Sequence, residues 1–139
     1  MRSRRTLLLV LATITLVAAG CGGSDNSGKG GSTPVSLAGK TNNHGTKSVK
    51  DGESLVVEAD DFYFNPTFVK APANAKVKIE LKNEGTVPHT FTSDALHVDE
   101  QLNPGETKDI DITVPASGTA EYHCKFHQGQ GMQGGFAVT

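Results

Sequence analysis

Apolar and polar residues alternate one by one over several short stretches of the chain. Val77, Ile79 and Leu81 are interleaved with Lys76, Lys78, Glu80 and Lys82. Ile110, Ile112 and Val114 are interleaved with Asp109, Asp111 and Thr113 in the same way. A period of two places the apolar set on one face of a strand and the polar set on the other. Residues 55–59 and 119–124 predict further strands, and Phe136 with Val138 marks a short final one. Asn83-Glu84-Gly85, Asn103-Pro104-Gly105 and Ser117-Gly118 separate these runs as turns. Short strands punctuated by turns predict an all-β fold, a Greek-key antiparallel β-sandwich. Helical periodicity is absent from this region. A short helix is expected at most around residues 93–98.

The strand pattern fills residues 51–139, long enough for one sandwich core. Most aromatics of this region (Phe62, Tyr63, Phe64, Phe68, Phe91, Tyr122 and Phe136) are expected inside it. Residues 22–50 read differently. They are rich in Gly, Ser, Thr, Asn and Lys, with Val35, Leu37 and Val49 as the large apolar groups. So little apolar surface does not offset the entropy of ordering, so residues 21–50 are expected to be a flexible tether. Residues 1–20 have the form of a signal peptide, with Arg2, Arg4 and Arg5 ahead of an apolar stretch too short to span a bilayer comfortably. Ala18-Ala19-Gly20-Cys21 then resembles the lipobox of bacterial lipoproteins. That resemblance implies cleavage before Cys21, lipidation of its thiol, and an extracytoplasmic protein anchored to the cell membrane by lipid.

Charge and cysteine content narrow the function. From Asp51 onward there are six lysines against fourteen acids, which argues against nucleic acid as a partner. The chain has two cysteines, Cys21 and Cys124. With Cys21 lipidated, Cys124 stands alone in an oxidising compartment, where a free thiol is a chemical liability. Metal ligation gives it a reason to be there.

The residues after Tyr122 support that reading. They run His123-Cys124-Lys125-Phe126-His127-Gln128-Gly129-Gln130-Gly131-Met132, which contains Cys-x2-His-x4-Met. A thiolate, an imidazole and a thioether within one loop suit copper. Zinc is the physical competitor, but its structural sites rarely use Met and its catalytic sites keep an open position. A second imidazole is expected from a distant strand end, and His89, in Val87-Pro88-His89-Thr90-Phe91, is the candidate. His44, His97 and His123 are expected to be surface, loop or outward-facing residues.

These motifs resemble the cupredoxins, and within them the plastocyanin- and pseudoazurin-like type I (blue) copper proteins. In that family a Pro-His near a strand end supplies the first ligand, and a Cys-x2-His-x4-Met loop before the last strand supplies three more. The resemblance implies one type I copper ion on His89, Cys124, His127 and Met132, with Met132 axial. It also implies that the edge of His127 serves as the electron port, with Phe126, Gln128 and Gln130 in the docking rim. Two positions depart from the pattern. Thr90 stands where many members have an Asn that ties the ligand loops together, and Phe126 stands where many have Pro.

The function expected from these readings is single-electron transfer between redox partner proteins, by a monomer tethered to the outer face of a membrane. No enzyme activity is expected, since a filled coordination sphere leaves no place for substrate. Two alternatives remain open at this level: a copper chaperone or scavenger without redox traffic, and an interaction module with incidental metal.

Overall fold

The computed structural model describes residues 33–139. The expected signal peptide and Cys21, the expected lipidation site, lie outside the described residues. Ten strands form two packed sheets. They are β1 (Thr46–Ser48), β2 (Ser54–Asp60), β3 (Tyr63–Asn65), β4 (Phe68–Ala71), β5 (Lys76–Asn83), β6 (His89–Ser93), β7 (Val98–Leu102), β8 (Thr107–Thr113), β9 (Thr119–His123) and β10 (Gln133–Val138). The smaller sheet has the order β3-β2-β5-β8, and the larger β1-β4-β10-β9-β6-β7. The all-β sandwich is the expected one, but pairing within the sheets is mixed. β2 runs parallel to β5, and β4 runs parallel to both β1 and β10. Crossing from one sheet to the other between such strands lets them return side by side in the same direction.

The alternating segments behave as their pattern requires. β5 buries Val77, Ile79 and Leu81 and turns its lysines outward. β2 buries Leu55, Val57 and Ala59 in the same alternation. From the larger sheet Val69, Phe91, Tyr122 and Phe136 close the core. Tyr122 is its centre, stacked on Phe91 at 4.5 Å and edge-on to Phe64 at 5.2 Å and Phe136 at 5.9 Å. Its hydroxyl donates to the Thr67 carbonyl at 2.8 Å, so the polar end of this buried ring is satisfied. Gly134 lets β10 lie against it: a Cβ there would be 2.2 Å from the Thr67 carbonyl oxygen and 2.6 Å from a Tyr122 ring carbon.

Two expectations need correction. Residues 94–97, between β6 and β7, form a turn rather than a helix: Ser93 Oγ accepts from Leu96 N–H, and His97 at φ 54° bends the chain into β7. The packed domain also begins well before Asp51. Val35 is buried against Phe68 and Ala137, Val49 joins the main core, and β1 pairs with β4. Further bonds hold the polar stretch between them. Gln133 Nε2 donates to the carbonyls of Ala38 and Lys40, both at 2.7 Å, and Asn42 bonds to residues near Met132. The polar composition of residues 33–50 reflects a strap that docks mainly by hydrogen bonds and two buried valines, which needs little apolar surface. Residues 21–32 of the expected tether are outside the described region.

Candidate metal centre

Strand ends meet at one end of the sandwich. β9 and β10 pair antiparallel, so the end of β9, which leads into Cys124, lies beside the start of β10, which follows Met132. β6 pairs antiparallel with β9, which brings its first residue, His89, to the same place. The loop between Cys124 and Met132 is closed by its own backbone. Cys124 N–H donates to the Met132 carbonyl at 3.0 Å, and Met132 N–H donates to the His127 carbonyl at 3.2 Å. A 3-10 turn over Gln128–Gln130 and Gly131 at φ 103° complete it. That left-handed position is where glycine is favoured, and a Cβ there would also lie 2.9 Å from the Asn42 side chain.

Three expected donors converge. His89 Nδ1 is 3.1 Å from His127 Nδ1, Cys124 Sγ is 3.4 Å from His127 Nδ1, and Cys124 Sγ is 3.9 Å from His89 Nδ1. The centre of the circle through atoms so spaced is about 2 Å from each, the length of a metal–imidazole or metal–thiolate bond. Two ring nitrogens facing each other across a sulfur make a poor hydrogen-bonding arrangement and a good trigonal metal site. The donor chemistry fits copper, with two imidazoles and a thiolate in a plane. His89 and Cys124 are buried and His127 is half-buried. Met132 is fully buried beside them, tied to Cys124 through the backbone.

Thr90 does more than its departure from the family pattern implied. Its N–H donates to Cys124 Sγ at 3.3 Å, and its hydroxyl oxygen accepts from Lys125 N–H at 2.8 Å. Thr92 donates to the same oxygen at 3.1 Å. A threonine thereby ties the His89 strand to the Cys124 loop, in addition to the sulfur contact made by its backbone. Asn83 supports the other side: its amide donates to the Val87 and Leu102 carbonyls and its oxygen accepts from Gly85 N–H, which fixes the loop entering His89.

Sequence reasoning did not single out the wall formed by the turn between β2 and β3. Asp61 Oδ1 lies 3.0 Å from His89 Nε2, and the Phe62 ring sits 4.4 Å from that of His127. Asn42 of the strap donates to the Phe62 carbonyl at 2.8 Å and to the Gln130 carbonyl at 3.0 Å, bridging the wall to the ligand loop. Nothing in a local sequence pattern marks contacts made across so many residues. Phe126 is 54 % exposed next to His127, so it is not a core residue. His44 stacks on Tyr63 at 3.5 Å, His97 lies in its turn and His123 ends β9, none of them within the donor cluster.

The environment favours a thiolate. Burial by itself pushes the Cys124 thiol up, but hydrogen bonds from His89, from the Thr90 and Phe126 backbone and from His127 outweigh it and bring the thiol down to about 6. Burial likewise pushes His89 down, and its bonds to Cys124 and Asp61 reverse this and hold the imidazole above its ordinary value. Asp61 is held below the usual carboxylate range, first by the Thr86 hydroxyl and N–H.

A family model described as a cupredoxin-like domain matches residues 34–138. That span takes in the strap. A search of curated protein sequences finds no match. Among solved structures, auracyanin B is 25% identical with a TM-score of 0.53, over 64% of this chain and 90% of that one. A multicopper oxidase is 23% identical with a TM-score of 0.54, over 61% of this chain and 41% of that one. A copper-containing nitrite reductase from Thermus scotoductus SA-01 is 19% identical with a TM-score of 0.52, over 65% of this chain and 28% of that one. The last two likenesses show a shared fold.

Proposed function

The chain belongs to the cupredoxin-like domain family, and from that premise we propose that it is a blue-copper electron-transfer protein. The observation that carries this reading is the convergence of His89 Nδ1, Cys124 Sγ and His127 Nδ1 on one point, with a backbone N–H aimed at the sulfur. In this reading the buried Met132 thioether would be a further donor to the ion. A copper ion bound there supplies a one-electron Cu(I)/Cu(II) couple.

The residues suit that task in three ways. The Thr90 N–H and the Thr90–Lys125 bond hold the thiolate and its loop in one geometry, so an electron arrives and leaves with little movement of the donors. Buried His89, Cys124 and Met132 exclude water. Half-buried His127 is the route to the surface, and exposed Phe126 beside it offers an apolar contact for a redox partner protein. With the coordination positions occupied by side chains, the protein is a carrier and not an enzyme. Lipidation at Cys21 would place this monomer on the outer face of a membrane, with residues 22–32 as the span between lipid and strap. A buried, closed donor set suits copper delivery poorly, which sets the chaperone reading second.

Voltammetry of the copper-loaded protein tests the proposal. A reversible one-electron wave, with copper retained through repeated cycles, is expected. Release of copper on reduction would instead favour the chaperone reading and sink this one.

A further inference from the structure

One charged side chain reaches the metal centre without being a donor. Asp61 places Oδ1 3.0 Å from His89 Nε2, the ring nitrogen other than the Nδ1 that faces Cys124 and His127. Its second oxygen, Oδ2, accepts from the N–H of Thr86 at 3.0 Å and from the Thr86 hydroxyl. Gly85 leaves room for this contact: a Cβ there would lie 2.4 Å from Asp61 Oδ1 and 2.7 Å from His89 Nε2. The loop entering His89 thus opens a gap for the carboxylate with one residue and grips its far oxygen with the next. The carboxylate itself comes from a different part of the chain, the turn after β2, where Asp61 N–H is fixed on Asp60 Oδ1 at 2.7 Å.

We propose that Asp61 is a positioning residue for His89 whose charge weights the site toward the oxidised metal; the inference rests on the copper electron-transfer reading. As an acceptor, Asp61 keeps the His89 proton on Nε2 and leaves the Nδ1 lone pair for the ion. As an anion beside an already anionic thiolate, it stabilises a doubly charged ion more than a singly charged one. Adding one electron from a reduced partner to Cu(II) gives Cu(I), and Asp61 makes that step less favourable.

Asp61→Asn keeps the size and an acceptor oxygen but removes the charge, and Asp61→Ala removes both. In the full chain, Asp61→Asn is expected to weaken Cu(II) affinity about tenfold with Cu(I) affinity unchanged. That tenfold change is a rise of about 59 mV in a one-electron potential. In the copper-free protein at alkaline pH, nitrogen NMR of the His89 ring is expected to show one Nε2–H tautomer in the parent and in Asp61→Asn. Asp61→Ala is expected to mix the two tautomers. A potential for Asp61→Asn equal to the parent's, with the blue absorption intact, overturns the role of charge. A single Nε2–H tautomer persisting in Asp61→Ala overturns the positioning role. If the alanine variant does not fold, the potential of the near-isosteric Asp61→Asn decides the proposal. If the parent holds no copper, the electron-transfer reading falls and the charge role with it. The tautomer comparison then still decides the positioning role by itself.

Discussion

The two sheets of the sandwich face different surroundings. In the smaller one, β2 and β5 bury every second residue and leave the others to solvent. Its wet face carries ion pairs such as Lys78–Asp109 at 2.9 Å and Lys82–Glu80 at 3.1 Å. In the larger sheet, β6 and β10 are buried almost throughout, on both faces. The strap supplies the outer cover near β4 and β10, with Val35 against Phe68 and Ala137. His89 and Met132 sit at the ends of these two enclosed strands, and Cys124 and His127 follow β9 between them, which has one wet face. A dry, doubly covered strand holds a side chain in one rotamer and strengthens each hydrogen bond aimed at it. The site therefore belongs where the molecule tolerates least change.

Substitutions on the two sheets should differ accordingly. The largest effect is expected from Gly134→Ala in β10, where the added Cβ meets the Thr67 carbonyl oxygen and the Tyr122 ring. Overpacking at a backbone contact should destabilise the fold by about 3 kcal/mol in urea unfolding. A cost under about 0.5 kcal/mol would show that the larger sheet is not tightly enclosed. Asn42→Ala comes next. It removes two bonds from the strap, to Phe62 and Gln130, and leaves both carbonyls without that donor. A loss of about 1–2 kcal/mol is expected, with faster amide hydrogen exchange over residues 128–132. Unchanged exchange there would detach the strap from the site. The smallest effect belongs to Lys78→Ala on the wet face, where both partners of the ion pair are about half exposed. No shift in melting temperature outside the scatter of repeat melts is expected.

The same contrast explains which parts of the molecule are legible in the sequence. β5 and β8 follow from alternation, because a strand with one wet face must write that face as polar residues. β6 reads His-Thr-Phe-Thr-Ser and β10 reads Gln-Gly-Gly-Phe-Ala-Val, and neither alternates apolar with polar. Covered on both sides, they need small or hydrogen-bonded residues where space is short. That selects Gly134 and Thr90 and hides the period. The strap reads as a tether for a related reason, since it docks through Asn42 and through the carbonyls that Gln133 binds. Of the site, Cys124, His127 and Met132 were legible because one loop carries them, and His89 followed from the resemblance. Asp61 was not legible. Its contact with His89 spans 28 positions, and an aspartate in an acidic turn looks like any solvated one. Thr90 appeared as a departure from the family pattern, whereas its hydroxyl links the two ligand segments.

In the proposed site, His89, Cys124 and His127 would hold one copper ion, with the Cys124 thiolate as the decisive donor. Titration of the copper-free protein with Cu(II), followed in the visible spectrum and repeated on Cys124→Ser, tests it most directly. An intense blue absorption that saturates at one ion per chain and is absent from Cys124→Ser is the expected result. A colourless or weakly coloured adduct of the parent, or a blue colour that survives in Cys124→Ser, would contradict it.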